Sequence, residues 1–311
     1  MRSRSVVFGL VATLAVTTGL GALAVVAGPV TESKHDDVTI AMPSSAPLPD
    51  SLASPSSHAP EPEVPLTEEM RAKLASAVVA AVESAAPGTD LGLAVYDRVT
   101  RSAVATENGD TQFYSASVVK LLIAIDLLHD AGWTADDRAK ENLSQLLGAS
   151  NDGVADALWA AGGRRDIVRQ ASALIGLVHT TPPNVSDEWE MTRLSAQDVI
   201  TTYEYIHHQI PVSARDVLLA ALTGPDDRAA DGFDQFFGIP AALPETAWGV
   251  KQGWMRAAGH VVLHTTGVVG ERYSVALLTH QPSRLSYETA SEASTAGIAV
   301  LAPVLSGAEK G

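Results

Sequence analysis

Hydrophobic and polar positions between residues 67 and 311 follow two periods, one typical of helices and one typical of strands. Strand-like segments lie near both ends of this region. Residues 134 to 222 between them are mostly helical, with breaks at Gly162-Gly163 and Pro182-Pro183-Asn184. This order predicts one sheet assembled from both ends of an α+β domain, with a helical lobe inserted in the middle. The predicted strands are 91–96, 102–106, 247–255, 260–266 and 273–279, and the predicted helices outside the lobe are 67–86, 117–129 and 287–305.

Residues 1–27 have a different pattern. Arg2 and Arg4 precede an uncharged, mostly apolar run over residues 6–27, and small residues end that run. This layout is typical of an export signal peptide. The run is also long enough to cross a bilayer, so a retained N-terminal membrane anchor is the alternative. Either outcome predicts that the rest of the chain works outside the cytoplasm, secreted or held at the cell membrane by this segment.

Residues 28–66 are rich in proline and serine. Such a composition cannot bury enough apolar surface to offset its ordering entropy, so we expect a disordered linker. The folding domain is then 67–311, and we expect it to be a monomer.

The charge and composition narrow the function classes. The chain has 21 basic and 36 acidic side chains and a net charge of −15, which argues against a nucleic-acid partner. The absence of cysteine excludes disulfides, thiolate zinc sites and a cysteine nucleophile. His207-His208 has no further ligand residues at metal spacing, so we expect no metal and no other cofactor.

The first candidate for chemistry is Ser117 with Lys120. If a helix begins near Ser117, the spacing of three places the hydroxyl and the amine on one face. A lysine in a partly desolvated pocket can act as the base for a serine, and the helix N-terminus suits a developing oxyanion. The alternative is a helix cap followed by an exposed lysine, but the apolar Leu121-Leu122-Ile123 that follows favours function.

A second candidate is Ser150-Asn151-Asp152, between two helical segments. It can present a second hydroxyl and a side-chain hydrogen bond to a substrate. An ordinary helix cap with Asp152 in the first turn is equally consistent with the sequence.

A third candidate is Lys251-Gln252-Gly253-Trp254 on a predicted strand. A lysine beside a glycine offers a cation and a close backbone approach to a ligand that carries a carboxylate. An ordinary lysine on an edge strand is the alternative.

The order of these three motifs resembles that of the penicillin-recognising serine hydrolases. Over roughly residues 90–282 the chain resembles the class A β-lactamase-like family, which is related to D,D-peptidases, and in particular the β-lactamase-like cell-wall lipoproteins of mycobacteria. The resemblance implies a β-lactamase/D,D-peptidase-like fold in which a five-stranded antiparallel sheet is flanked by helices and carries a helical lobe.

The resemblance also implies roles for single residues. Ser117 would be the acylated nucleophile, Lys120 its proton acceptor, and Ser150 the relay of a proton to the leaving nitrogen. Lys251 would bind the substrate carboxylate. The backbone N–H groups of Ser117 and Trp254 would form the oxyanion hole.

Several positions depart from the family pattern. Asp152 and Gly253 fall at substrate-binding positions, but Asp152 is an acid where the family has an amide. Gln252 replaces a hydroxyl residue. No Glu-x-x-Asn pattern marks the glutamate that activates the deacylating water, and Glu188 is only a weak candidate. The lipid-bearing cysteine of the mycobacterial relatives is also missing.

These features predict an exported serine hydrolase that forms an acyl-enzyme at Ser117. The expected partners are a β-lactam or a D-Ala-D-Ala-like stem peptide of peptidoglycan, with slow deacylation. Two alternatives stay open. One is a non-catalytic module of the same fold that binds the cell wall or a protein partner, and the other is an unrelated exported hydrolase.

Overall fold

The computed structural model describes residues 65–224 and 227–307. The predicted signal or anchor over residues 1–27 and nearly all of the predicted linker over residues 28–66 lie outside the described residues. Within the described part of the chain, none of the helices combines the length and the apolar character needed to cross a membrane.

Helices and strands follow the order that the sequence predicts. In chain order they are α1 (Glu68–Ala85), β1 (Asp90–Asp97), β2 (Ser102–Glu107), β3 (Phe113–Tyr114), α2 (Lys120–Asp130), α3 (Asp137–Leu143), α4 (Asp152–Ala161), α5 (Arg165–Ile175), β4 (Arg193–Leu194), α6 (Ala196–His208), α7 (Val212–Thr223), α8 (Ile239–Ala242), β5 (Trp248–Ala257), β6 (His260–Val269), β7 (Tyr273–Pro282) and α9 (Tyr287–Leu305). Short 3₁₀ turns cover Ala116–Val119 and Trp189–Met191, and a π turn covers Ser144–Gly148.

Five strands form one antiparallel sheet in the order β2-β1-β7-β6-β5. The N-terminal strand β1 pairs with the C-terminal strand β7, for example Leu93 opposite Leu277. The sheet is therefore assembled from both ends of the domain, and the predicted fold class is confirmed. Strand β5 lies at one edge, beside β6.

The two faces of the sheet carry different hydrophobic clusters. Side chains of a strand point alternately to opposite faces, and along β7 Val275 and Leu277 join one cluster while Ala276 and Leu278 join the other. Helices α1 and α9 cover the first face, where Gly297 of α9 lets α9 approach α1 closely. The helical lobe covers the second face. Strands buried on both sides explain why their sequences are almost continuously apolar.

Helix α2 is buried nearly all round and forms the centre of the lobe. Its apolar sequence gives it no solvent-facing side, which is the pattern of a core helix. The predicted helix at residue 117 differs in one respect. Its first turn is the 3₁₀ turn Ala116–Val119, and the α-helical part begins at Lys120. Residues three apart are nearly eclipsed in a 3₁₀ turn, so this difference keeps Ser117 and Lys120 on one side.

An ion pair joins Asp97, the last residue of β1, to Arg272, the residue directly before β7. Arg272 donates from Nε to Asp97 Oδ1 at 3.0 Å and from Nη2 to Asp97 Oδ2 at 2.6 Å. The same carboxylate accepts the backbone N–H groups of Val99 and Thr100 in the β1–β2 turn. Burial alone would raise the pKa of Asp97, but these hydrogen bonds hold it below its ordinary value.

Candidate active site

The Ser117 turn lies between β3 and α2, at the edge where β5 passes. Ala116 directly before it has a φ of +44°, and Ser150 on the facing segment has a φ of +50°. Left-handed backbone at a non-glycine residue is uncommon and costs energy, so it persists only where the surroundings impose it. Two such residues therefore flank the same small region.

Hydrogen bonds to Ser115 fix the entry to this turn. The backbone N–H of Ser115 donates to the carbonyl of Thr192 at 2.7 Å, and its hydroxyl donates to the carbonyl of Glu190 at 3.2 Å. The 3₁₀ turn Trp189–Met191 is thereby held against the Ser117 turn. Ser115 and Glu190, which are 75 positions apart in sequence, thus lie side by side next to Ser117.

Two histidines hold the backbone of Tyr114 just before the turn. His264 Nδ1 accepts the N–H of Thr279, so its Nε2 donates to the carbonyl of Tyr114 at 2.6 Å. His280 Nε2 accepts the N–H of Tyr114 at 3.2 Å. Burial lowers the pKa of His264 to about 4 and that of His280 to about 3, so both rings are neutral near pH 7. The sequence marked His264 only by its spacing from His260 and gave no sign of its contact with Tyr114.

Behind Ser117, one serine hydroxyl joins two buried lysines. Lys120 Nζ lies 3.1 Å from Ser150 Oγ, and Lys251 Nζ lies 2.9 Å from the same oxygen. Both lysines are 0% exposed. Lys120 also donates to the carbonyl of Ser150 at 2.7 Å, and Lys251 donates to the carbonyl of Gln252 at 3.1 Å. The structure thus brings together Lys120, Ser150 and Lys251, three residues that the sequence singled out. Ser150 lies 30 residues after Lys120 and 101 residues before Lys251.

Asp152 forms an ion pair with Lys120, with 2.6 Å between Oδ1 and Nζ. Burial lowers the pKa of Lys120, and the charge and hydrogen bond of Asp152 act in the opposite direction. Burial lowers the pKa of Lys251 well below its ordinary value, and the charge of Lys120 lowers it further. Asn151 meanwhile caps α4, its side chain accepting the N–H of Val154. Within the triplet, Asn151 thus caps α4 and Asp152 contacts Lys120. Substrate binding by Asp152 stays a prediction.

Gly253 allows β5 to pass close to the Ser117 turn. A Cβ on Gly253 would lie 3.1 Å from the carbonyl oxygen of Ser115 and 3.1 Å from Val118 Cγ2. These contacts are tighter than ordinary van der Waals distances. Gln252, one residue earlier, points away and donates to the carbonyls of Gln235 and Phe237.

An open cleft of about 450 Å³ lies in front of Ser117. Its lining combines carboxylates with aromatic side chains and consists of Ala116, Ser117, Asp152, Asp156, Asp187, Trp189, Glu190, Asp231, Trp254, Met255 and Tyr287. Ser117 is 5% exposed, and its hydroxyl has no hydrogen-bond partner within residues 65–224 and 227–307. Of the residues predicted from sequence, Ser117, Asp152 and Trp254 line this cleft, whereas Lys120, Ser150, Lys251 and Gly253 lie buried behind it.

Glu190 is a cleft residue that sequence reasoning missed. Burial raises its pKa, and the neighbouring charges of Glu188 and Asp152 raise it further. Glu188, the weak candidate from sequence, instead lines a separate cavity with Tyr114 and Arg193. The two glutamates stand two positions apart, so only the course of the loop decides which one faces Ser117.

No family model matches this chain. Proteins named "Putative lipoprotein LppW" from Mycobacterium bovis and Mycobacterium tuberculosis are 36% identical over 211 residues, which is 65% of this chain and 66% of theirs. A β-lactamase structure from Chitinophaga pinensis superposes with a TM-score of 0.62 at 14% identity, covering 75% of this chain and 99% of that one. The β-lactamase of Streptomyces albus G gives 0.59 at 18% identity, with 75% and 99% covered.

The chain is a homologue of the mycobacterial LppW proteins and has the class A β-lactamase fold. The resemblance that the motifs indicated is therefore confirmed for the fold and for the relation to the mycobacterial lipoproteins. At identities of 14 and 18% the solved β-lactamases establish the fold alone. In the cleft of this LppW homologue, a nearly buried serine with an unbonded hydroxyl forms part of the lining, and two buried lysines share the hydroxyl of Ser150. Such an arrangement can carry out acyl transfer.

Proposed function

We propose that this LppW homologue is an extracytoplasmic serine hydrolase that forms an acyl-enzyme at Ser117. The observation that carries the proposal is the pair of buried lysines on Ser150 Oγ, one of which, Lys120, follows the unbonded Ser117 by three residues at the start of α2. A serine needs an adjacent base to become a nucleophile, and desolvated lysines of lowered pKa are able to supply one.

In the acylation step Ser117 Oγ attacks the carbonyl carbon of the substrate. An Oγ–C bond forms and the electron pair of the carbonyl moves to oxygen, where the N–H groups of Ser117 and Trp254 would donate to it. The Ser117 proton passes to Lys120. Ser150 gives its proton to the leaving atom as the C–N or C–O bond breaks, and it recovers a proton from the lysine pair.

In the deacylation step water attacks the acyl carbon while a base accepts one of its protons. Glu190 is our candidate, because it is a half-buried carboxylate in the same cleft with a raised pKa. The oxyanion then collapses, the C–Oγ bond breaks, and Ser117 Oγ takes up a proton from Lys120, which is restored by the proton that Glu190 took from water. Glu190→Gln is expected to leave acylation in place and to prolong the life of the acyl-enzyme.

The substrate class proposed from the motifs is a β-lactam or a D-Ala-D-Ala-like cell-wall peptide, without nucleic acid or cofactor. We expect slow turnover because Asp152 holds Lys120 in an ion pair. The relatives are named lipoproteins, and we infer a location outside the cytoplasm. Since this sequence has no cysteine to carry a lipid, we expect residues 6–27 to provide the signal or the anchor.

One observation favours a second candidate function, a non-catalytic module that binds the cell wall. The Asp152–Lys120 ion pair favours the charged form of Lys120, and a charged lysine cannot accept the Ser117 proton. In this case muropeptides would bind in the cleft without reacting, and replacement of Ser117 would leave binding unchanged.

Acylation can be tested by intact-mass analysis of the full chain. The protein is incubated with excess penicillin G and, in parallel, with a neutral activated ester. We expect at least one of the two to give a covalent adduct that peptide fragmentation locates on Ser117. Absence of an adduct with both reagents, or modification of other residues alone, would reject the hydrolase and leave the binding module.

Replacing Asp152 with asparagine tests the role of the ion pair. Asp152 raises the pKa of Lys120, so its removal lowers that pKa and increases the neutral fraction of the lysine at a given pH. The acidic limb of the pH profile of acylation is therefore expected to move to lower pH, with faster acylation near pH 7. An unchanged profile would show that Lys120 is not the titrating base.

A further inference from the structure

The charge of the cleft in front of Ser117 indicates what kind of substrate it binds, and this inference rests on the proposed function. Five carboxylate residues line the cleft, and none of the lining residues in the described part of the chain is basic. A class A β-lactamase substrate carries a carboxylate. A surface of this sign would repel it.

Three of the five carboxylates have no cationic partner within the described residues. Asp152 pairs with Lys120, and Asp187 pairs with Arg164. The remaining three are Asp156, Glu190 and Asp231, which form no ion pair in residues 65–224 and 227–307. Their negative charge is left for a ligand. No group of described acids or histidines is arranged to hold a metal ion.

Two of these three carboxylates also accept hydrogen bonds from tryptophan side chains that line the cleft. Asp156 accepts the indole N–H of Trp189 at 2.8 Å, and Asp231 accepts that of Trp254 at 3.0 Å. Trp254 stacks on Phe233 with 4.5 Å between ring centroids. The cleft therefore has carboxylates held beside indole N–H groups, and the charge of these carboxylates attracts a cation. The ring faces are already in contact with Lys120 at 4.8 Å and Lys251 at 5.8 Å.

The cations nearest to the cleft offset its negative charge only in part. Lys120 pairs with Asp152 and lies over the Trp189 ring, and Lys251 lies over the Trp254 ring. Lys120 and Lys251 are 0% exposed and bound to Ser150, so neither amine lines the cleft. Arg256 lies over the ring of Tyr287 and donates to backbone carbonyls at 2.7 and 2.9 Å. Ser117, a residue only 5% exposed, lines the cleft with an unbonded hydroxyl, which is an independent sign that a ligand is received here.

We propose that the acyl substrate of Ser117 is an ester or amide whose acyl part carries an ammonium or guanidinium group. The cationic group would lie between the Trp189 and Trp254 walls, near Asp156 and Asp231, with the carbonyl at Ser117. This narrows the substrate class proposed above: a peptidyl or amino-acyl substrate with a cationic acyl part is favoured, and an anionic β-lactam is disfavoured.

Three matched thioesters test this proposal on the full chain. The probes are the benzyl thioesters of Nα-acetyl-lysine, Nα-acetyl-norleucine and Nα-acetyl-glutamate, and the quantity measured is kcat/KM. We expect the lysine probe to exceed the norleucine probe by about tenfold or more, since the carboxylates of Asp156 and Asp231 both attract its ammonium group. The glutamate probe should be the slowest. Raising the ionic strength should reduce the preference.

Charge-removing variants locate the preference. In Asp156→Asn and Asp231→Asn the side-chain oxygen still accepts the indole N–H, so the walls keep their orientation while the charge is lost. The ratio of lysine to norleucine probe is expected to fall several-fold in each variant and towards unity in the double variant. Glu245→Gln is the control, because Glu245 is exposed outside the cleft, and it should keep the wild-type ratio.

The outcomes separate this inference from the proposed function. Acylation of Ser117 with equal rates for the three thioesters, or with the glutamate probe fastest, would overturn the cationic substrate and keep the hydrolase. If no probe acylates the protein but Nα-acetyl-lysine amide binds and Asp231→Asn weakens that binding, the cation site stands and the hydrolase fails. Absence of both reaction and binding would overturn both.

Discussion

Replacing Ser117 with alanine is expected to abolish covalent labelling of this protein and to lower any hydrolysis of esters or amides by about 10³-fold or more. The Ser117 hydroxyl is the unbonded nucleophile candidate that faces the cleft, and alanine cannot form the Oγ–C bond. The Ala116 turn and the Lys120–Ser150–Lys251 contacts do not involve this hydroxyl. The variant should therefore fold, and thermal unfolding should show a similar midpoint.

Ser172→Ala is a suitable control for this result. Ser172 lies on α5, and its hydroxyl is also without a hydrogen-bond partner among the described residues. Removing that oxygen should leave labelling and hydrolysis unchanged. If Ser117→Ala retained the labelling of the wild type, another nucleophile would be at work and the proposed mechanism would be wrong.

Replacing Arg272 with methionine is expected to destabilise the domain by about 3–5 kcal/mol, because it leaves the Asp97 carboxylate buried without its cation. Side-chain exposures of 19% for Arg272 and 6% for Asp97 place this pair largely out of water. Urea unfolding at pH 7 measures the change as a lower midpoint. The deficit should shrink as the pH falls, first above the ordinary Asp pKa of about 4, where the stranded carboxylate of the variant takes up a proton, and then below it, where the wild type loses its charge-assisted bonds.

Two further variants check the cause. Asp97→Asn in the Arg272→Met background removes the stranded charge and should restore part of the lost stability. Arg215→Met breaks an Arg–Asp pair whose side chains are 33% and 59% exposed. An exposed pair contributes only about 0–1 kcal/mol, so this variant should have a midpoint close to the wild type. Equal losses from Arg215→Met and Arg272→Met would contradict the role of burial.

Local patterns in the sequence were sufficient to predict the helices and strands and to recognise the order of the three motifs. The strand-like, mostly apolar segment over residues 273–279 predicted β7, and the end of the predicted helix at residue 305 is the end of α9. The spacing of Ser117 and Lys120 placed both on one side of a turn. These properties depend on neighbours within one helical turn or one strand, which the sequence states directly.

Contacts between distant segments could not be predicted in the same way. Asp152 looked like either a substrate-binding residue or part of a helix start, and its ion pair with Lys120 depends on how α4 meets α2. Glu190 rather than Glu188 faces the cleft because a 3₁₀ turn orients that loop. His264 and His280 reach Tyr114 only because the fold brings β3 against the strands β6 and β7 that carry these histidines.

The sequence by itself determined the α+β element order, the acidic charge and the presence of a serine and two lysines in family order. Only the tertiary structure decided that both lysines meet at Ser150, that neither faces the cleft, and that the cleft surface is anionic and aromatic. The physical reason is that periodicity encodes which face of each element is buried, whereas the sign of a pocket and the pKa of a lysine depend on residues that the fold brings together from far apart.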